Sequence, residues 1–417
     1  MYYLIQKTIM KKVLFTAALI FAAFTVSAQE SVVKEAKAAK SDPAKAAEIL
    51  EPALSDPTTS KDCETWKLAG DLQKSLYDEQ NMKLYLPGGQ ESADMNALYG
   101  SLVKMFEYYI KADAVEQEQV AAGTLKKAKL RAKLGKELLN VRPNLVNGGS
   151  DAYNEGNYES ALKFFGLYVD ALNEPVFTDV KAQLEADTLA PLIANYACLA
   201  ANSLQNRDAI IKYAAVGKTH KEEGYRALMC LAEVYGKYEP VDSTKWIETI
   251  EEGVEAFPTQ EYFIGNLMDY YIQRGQIDKA MTKIDEVIAS NPAPYFFYVK
   301  GVLQYEKKDY DAAVATLNKI IEAGGDFQAE AYSKIGDCYF FPAQIIVEEN
   351  ANLSMDDPKY ATNDDQIRAL YEKAQPNYEK AKQLGPDKKN LWGQFLLNIY
   401  WKLNRADYEA LEKELGY

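Results

Sequence analysis

From residue 259 to residue 325, apolar positions recur at three- and four-residue intervals between short polar turns. The stretch is one pattern written twice: TQEYFIGNLMDYYIQRGQIDKAMTKIDEVIASNP, then APYFFYVKGVLQYEKKDYDAAVATLNKIIEAGG. Pro258 and Pro292 stand 34 residues apart, and Ala280 and Ala313 stand 33 apart. Spacing of this kind predicts amphipathic helices. Each copy reads as a helix A, a tight turn and an antiparallel helix B. Neither helix can bury its apolar stripe alone, so the copies must stack and share a core along the stack.

The pattern extends in both directions. Leu145, Gly149, Tyr153, Asn157-Tyr158, Ala161 and Phe165 make one unit, and GNYESALKFF repeats the turn and helix of KDYDAAVATL. Ile193, Tyr196, Ala197, Ala200, Ala209 and Tyr213 make a second. Leu228, Leu231, Ala232, Tyr235, Trp246, Ile250 and Pro258 make a third, with a slightly long turn around Pro240. Near the N-terminus, Asp42-Pro43 predicts a helix start, because Asp caps and Pro suits the first helical position. Pro52 is expected to bend that helix. Trp66, Ala69 and Gly70 open a further A helix, followed by an insertion at 77–95, a helix near 96–112 and another over 115–141. Residues 173–190 read as an irregular connection. Tyr332, Ile335, Gly336 and Tyr339 begin an A helix interrupted by residues 342–365. Its B helix carries Tyr378 and Ala381, and Pro376 should kink that helix or mark its start. Trp392, Phe395, Ile399 and Tyr400 form a last A helix, and ADYEALEKELGY closes the array with a polar outer face.

Ile264, Leu267, Tyr271, Ala280, Ile284 and Pro292 fall where a tetratricopeptide repeat places W-x2-L-G-x2-Y, A-x3-F and P; Phe297, Gly301, Ala313 and Leu317 do so in the next copy. The chain resembles the tetratricopeptide-repeat (TPR) family over residues 31–417, with interruptions, and most clearly over 142–341. The resemblance implies an all-α, right-handed α-solenoid of antiparallel helix pairs. After a targeting segment (1–28), it divides the chain into degenerate N-terminal repeats (29–141) and a solenoid (142–417) with an insertion at 342–365 and a C-terminal capping helix. Family members hold protein segments against a concave face lined by A helices. Carried over position by position, that face would present Tyr262 and Asp269, then Tyr295, Tyr298, Tyr305 and Glu306, then Asp337, Phe340 and Phe341. These residues predict an aromatic, acidic groove suited to protein or peptide segments, basic ones included. The paired Lys, Arg and Asn with which some members clamp a peptide carboxylate are not reproduced. A second reading is a glycan- or small-ligand-binding protein of an envelope uptake system, similar to helical-repeat binding lipoproteins, although no Cys follows the expected cleavage site. The two insertions, 77–95 and 342–365, are alternative binding elements.

Composition narrows the picture. The formal net charge is −14, which argues against nucleic acid as a partner because phosphate binding needs a basic surface. Met10-Lys11-Lys12, the apolar run Val13 to Val26, and Val26-Ser27-Ala28 before Gln29 read as a signal peptide cleaved near Ala28. A mature, periplasmic or envelope-associated chain without a membrane span is expected. Cys63, Cys198, Cys230 and Cys338 show no C-x-x-C pairing; they read as small buried hydrophobes, with Cys198 and Cys230 the best pair if a disulfide forms. His220 is the single histidine and sits in a turn. No nucleophile or phosphate-loop motif accompanies it, so neither an enzyme nor a cofactor is expected. The acidic segment 356–365 lacks the spacing of a calcium loop and reads as solvated.

Overall fold

The computed structural model describes residues 30–86 and 92–417. The expected signal segment, and the Pro87-Gly88-Gly89 part of the first insertion, lie outside the described residues. Among the described residues every regular element is a helix. The chain forms tetratricopeptide-like antiparallel helix pairs, in two compact units, Met1–Asp242 and Ser243–Tyr417. The boundary expected at 141/142 falls inside the first unit.

The first unit contains α1 (30–38), α2 (Pro43–Ser55), α3 (Cys63–Leu84), α4 (Met95–Ala121), α5 (Arg131–Val141) and α6 (Pro143–Asn154). It continues with α7 (Tyr158–Asp170), α8 (Lys181–Glu185), α9 (Ala190–Ser203), α10 (Arg207–Gly217) and α11 (Gly224–Lys237). The second contains α12 (Ser243–Ala256), α13 (Glu261–Gln273), α14 (Ile277–Ser290), α15 (Pro294–Glu306) and α16 (Tyr310–Ala323). It ends with α17 (Gln328–Asn350), α18 (Pro358–Leu384), α19 (Gly393–Lys402) and α20 (Tyr408–Leu415).

The turn between helices A and B is built the same way five times. A residue in the left-handed region precedes the turn's end: Gly156, Gln205, Gly275, Lys308 and Asn404. The next backbone N–H reaches back five residues: Asn157 to Ala152, Asn206 to Ala201, Gln276 to Tyr271, Asp309 to Gln304 and Arg405 to Tyr400, at 2.8–2.9 Å. This is the Schellman closure, which satisfies otherwise orphaned carbonyls at a helix end. Asn157, Asn206 and Asp309 then cap helix B by accepting from Ser160, Ala209 and Ala312 N–H groups.

Several sequence expectations need correction. The insertion at 342–365 is not a loop. Its residues prolong α17 and α18 into a hairpin of 23 and 27 residues, joined through 351–357. Pro376 lies inside α18, which starts at Pro358, so it does not mark the helix start. The insertion at 77–95 likewise lengthens α3 and α4. The helices expected over 96–112 and 115–141 are divided elsewhere: α4 runs to Ala121 and α5 starts at Arg131. The break comes where Gly123 turns left-handed and the N–H groups of Thr124 and Leu125 return to the Gln119 carbonyl.

The connection 173–190 is folded rather than irregular. A 3-10 helix, Pro175–Val180, leads into α8 and buries Val176, Phe177, Val180 and Leu184. It packs on α5, whose Gly135 leaves room for the Val176 carbonyl, to which a Cβ there would come within 2.3 Å. Arg142 holds this connection. Its guanidinium lies 3.5 Å from the Tyr168 ring centroid, donates to the Tyr168 carbonyl at 3.0 Å and pairs with Asp187 at 2.7 Å.

Candidate functional site

Helices α13, α15, α17 and α19 are the A helices of the second unit. Residues three and four apart share a face, so each helix can present one stripe. Along α15, Tyr295, Tyr298 and Tyr305 are half-buried, and Glu306 is exposed. On α13, Tyr262 is half-buried and Asp269 exposed. The tyrosines are tied together by Phe327, at the start of α17: its ring lies 5.5 Å from Tyr295 and stacks on Tyr298 at 6.1 Å. Tyr298 also packs on the core formed by Leu317, Ile320, Ala331 and Ile335. Further along, Tyr305 lies 6.2 Å from Phe341, and Phe341 lies 6.0 Å from Phe395 of α19. The surface therefore carries two groups of rings on one side of α15, Tyr295–Phe327–Tyr298 toward α17 and Tyr305–Phe341–Phe395 toward α17 and α19. Burial raises the pKa of Tyr295 to about 12 and pushes those of Tyr298 and Tyr305 up as well, so all three hydroxyls stay neutral donors.

Two of the residues expected on this strip are elsewhere. Phe340 is buried, 4% exposed, between Tyr371, Tyr378 and Phe395. Neighbours on a helix diverge by about 100°, so Phe341 faces outward where Phe340 cannot; Phe341 is 37% exposed. Asp337 is also buried. It pairs with Lys334 at 2.7 Å and accepts from the Tyr378 hydroxyl at 2.7 Å. A buried carboxylate persists when it is paired and hydrogen-bonded, and here both conditions are met. Burial opposes the Lys334 charge, but Asp337 beside it holds the ammonium above the ordinary lysine range. The Lys334 ammonium lies 4.7 Å from the Tyr305 ring centroid. Asp337 is therefore no free acid on the strip; of the three acids expected there, Asp269 and Glu306 are the exposed ones.

Sequence reasoning placed Phe395 in the last A helix but not at the strip, and passed over Lys334 and Phe327. Lys334 could have been found from its i,i+3 spacing to Asp337. Phe327 carried no such signal, since it precedes its helix and reaches the strip only through a left-handed backbone, φ 65°.

The four cysteines are free and buried, so Cys198 and Cys230 are not bridged. Burial raises the thiol pKa to about 11 at Cys63 and about 12 at Cys230 and Cys338, and lifts that of Cys198 too; none is poised as a nucleophile. The His220 Nδ1 accepts from the Glu223 N–H at 3.0 Å, a turn contact. In the acidic segment, Asp357 caps α18 and Asp364 pairs with Lys402 and Arg368. Among the described residues no cluster of three or more His, Cys, Asp or Glu side chains is arranged to hold a metal ion, and no helix is long and apolar enough to cross a membrane.

No family model matches the chain, and no curated protein matches it. Solved structures similar to it include tetratricopeptide-repeat proteins. One is the C-terminal part of a TPR repeat-containing protein from Cytophaga hutchinsonii, 16% identical, covering 64% of this chain and 92% of that one, with a TM-score of 0.38. Another, from Parabacteroides merdae, is 16% identical, covers 62% of this chain and 98% of its own, and has a TM-score of 0.34. A TPR repeats protein from Bacteroides fragilis is 17% identical, covers 62% and 98%, and has a TM-score of 0.30.

Proposed function

We propose that the chain is an exported, non-enzymatic scaffold that holds a protein segment along the aromatic surface of α15, α17 and α19, bordered by Tyr262 and Asp269 of α13. The observation that supports this most is the run of half-exposed rings: Tyr295 and Tyr298 around Phe327, and Tyr305 against Phe341. Aromatic side chains offer a large contact area at low conformational cost and anchor protein interfaces. Asp269 and Glu306 at the margin favour a segment carrying Lys or Arg, and make its association salt-sensitive. The sequence Lys11-Lys12, apolar run, Val26-Ser27-Ala28 supports export to the periplasm or envelope, with cleavage before Gln29; N-terminal sequencing of native protein beginning at residues 1–12 would refute that part.

The binding test selects peptides on the purified chain from a random display library. Selected peptides should lose at least about tenfold in affinity for the Tyr298→Ala/Tyr305→Ala variant, the scale of a hot-spot loss. Circular dichroism and melting monitor its fold. A folded variant that binds normally removes the strip as the site. An unfolded one makes the tyrosines core, which the packing of Tyr298 on Leu317 and Ile335 already does in part.

A further inference from the structure

The first unit holds a cleft of about 520 Å³ between the N-terminal half of α4 and the α6–α7 pair. Clefts of this size hold small ligands. Its length comes from α4, which lines it from Met95 to Glu107, about 18 Å at 1.5 Å per residue. Two contacts join its walls: the Tyr99 hydroxyl donates to Asp151 at 2.7 Å, and Lys163 pairs with Glu107 at 2.7 Å. Gly148 lets the rings of Tyr99 and Phe164 close up beneath, where a Cβ would meet them at 2.9 and 3.0 Å.

Gly100 carries the argument. It lies inside α4, lines the cleft, and has nothing within 4 Å of where its Cβ would be. Glycine in a helix interior is less stable than alanine by about 0.5–1 kcal/mol. Close packing explains Gly148 but not Gly100, which keeps space open at the cleft.

The charges define what fits. Lys163 and Glu107 neutralise each other, whereas Asp151 accepts from the neutral Tyr99 hydroxyl and keeps its negative charge, which also favours an ammonium in the cleft. Among the described residues Lys104, on the α4 wall, and Glu155, at the end of α6, stand in no ion pair. A ligand with both a carboxylate and an ammonium answers both; a neutral sugar answers neither, and an anion leaves Glu155 without a partner. The side-chain amide of Asn96 offers a donor and an acceptor, as a peptide group requires; Asn157, whose Oδ1 caps α7, offers its amide N–H groups, and Tyr99 with Phe164 forms an apolar seat. We infer that this cleft binds a short peptide with free termini, its carboxylate toward Lys104 and its ammonium toward Glu155. The site is independent of the strip on α15, α17 and α19.

The test is calorimetric titration of the full chain with alanyl-leucyl-alanine, with the same tripeptide acetylated and amidated, and with maltotriose. The free tripeptide should bind, and Lys104→Ala and Glu155→Ala should each weaken it about three- to tenfold, as partly exposed charge contacts do. Gly100→Ala should raise the melting temperature but weaken binding measurably, and Gly100→Trp should abolish it. Equal binding of free and capped peptide, preference for maltotriose, no heat at millimolar tripeptide, or a folded Gly100→Trp variant that binds normally would each overturn the assignment.

Discussion

Gly336 on α17 lies flat against the ring of Tyr378 on α18, so close that a Cβ on the glycine would come within 2.8 Å of the ring. The same contact recurs between other paired helices: Gly149 meets Phe165, Gly301 meets Leu317, and Gly70 meets Tyr109. In two pairs the partners are 16 residues apart; for Gly70 the separation is 39 and for Gly336 it is 42. The long hairpins are thus ordinary repeats with added helical turns, still anchored at the original glycine.

Tyr378 cannot swing away, because it is fully buried and bonded to Asp337. Gly336→Ala should therefore overpack the contact. A loss of about 1–3 kcal/mol, read by urea denaturation, is expected; an unchanged midpoint would show that the ring yields.

Ala313 and Ala280 are fully buried in their B helices. Ala313→Leu adds three carbons to a filled space and should cost about 1–3 kcal/mol. Thermal melting checks it, and a melting temperature within error of the parent would place Ala313 off the helix contact.

Asp337 depends on two partners. Tyr378→Phe removes one hydrogen bond to a buried carboxylate and should cost about 1–3 kcal/mol. Lys334→Met leaves that carboxylate without its counter-charge and should cost more, about 3 kcal/mol or above. If denaturation ranks Lys334→Met as the milder change, the ion pair is not what keeps Asp337 buried.

Asp187 supplies a pH dependence. Burial works against its charge, but the Tyr168 hydroxyl, the Leu189 N–H and the Arg142 guanidinium all donate to it and hold its pKa below the ordinary range. A depressed folded pKa gives stability that is present above the unfolded value, about 3.9, and is lost as pH falls through the folded one. Asp187→Asn leaves Arg142 buried without a counter-charge and should cost about 3 kcal/mol at neutral pH. The difference from the parent should shrink as pH drops below about 4. A gap that stays constant down to pH 2 would show that the Asp187 charge contributes nothing.

The helix pairs were legible because each is specified locally. The turn after Tyr153 and the turn after Tyr305 are written in the residues that make them: a left-handed position, then Asn157 or Asp309 as cap. Ala280, Ala313, Gly301 and Leu317 reveal their register by recurrence at a fixed interval, so fold class, pairing order and the capping helix follow from the sequence alone. The insertion at 342–365 is largely helical because its residues continue the stripes of α17 and α18, and α3 and α4 likewise run on into the first insertion as far as Leu84 and from Met95, beyond the length a repeat template allows.

What the sequence could not decide is what covers each stripe. Periodicity distinguishes the two faces of α17, yet it cannot tell that Tyr378, 42 residues on, buries Asp337 while leaving Phe341 open. Nor can it bring Lys104 on α4 to the same cleft as Glu155 on α6, across the break at Gly123 and the whole of α5. Helix formation is set by interactions three to five residues apart. Burial, pairing of charges and open space are set by side chains that meet only when distant helices pack, and on these the site depends.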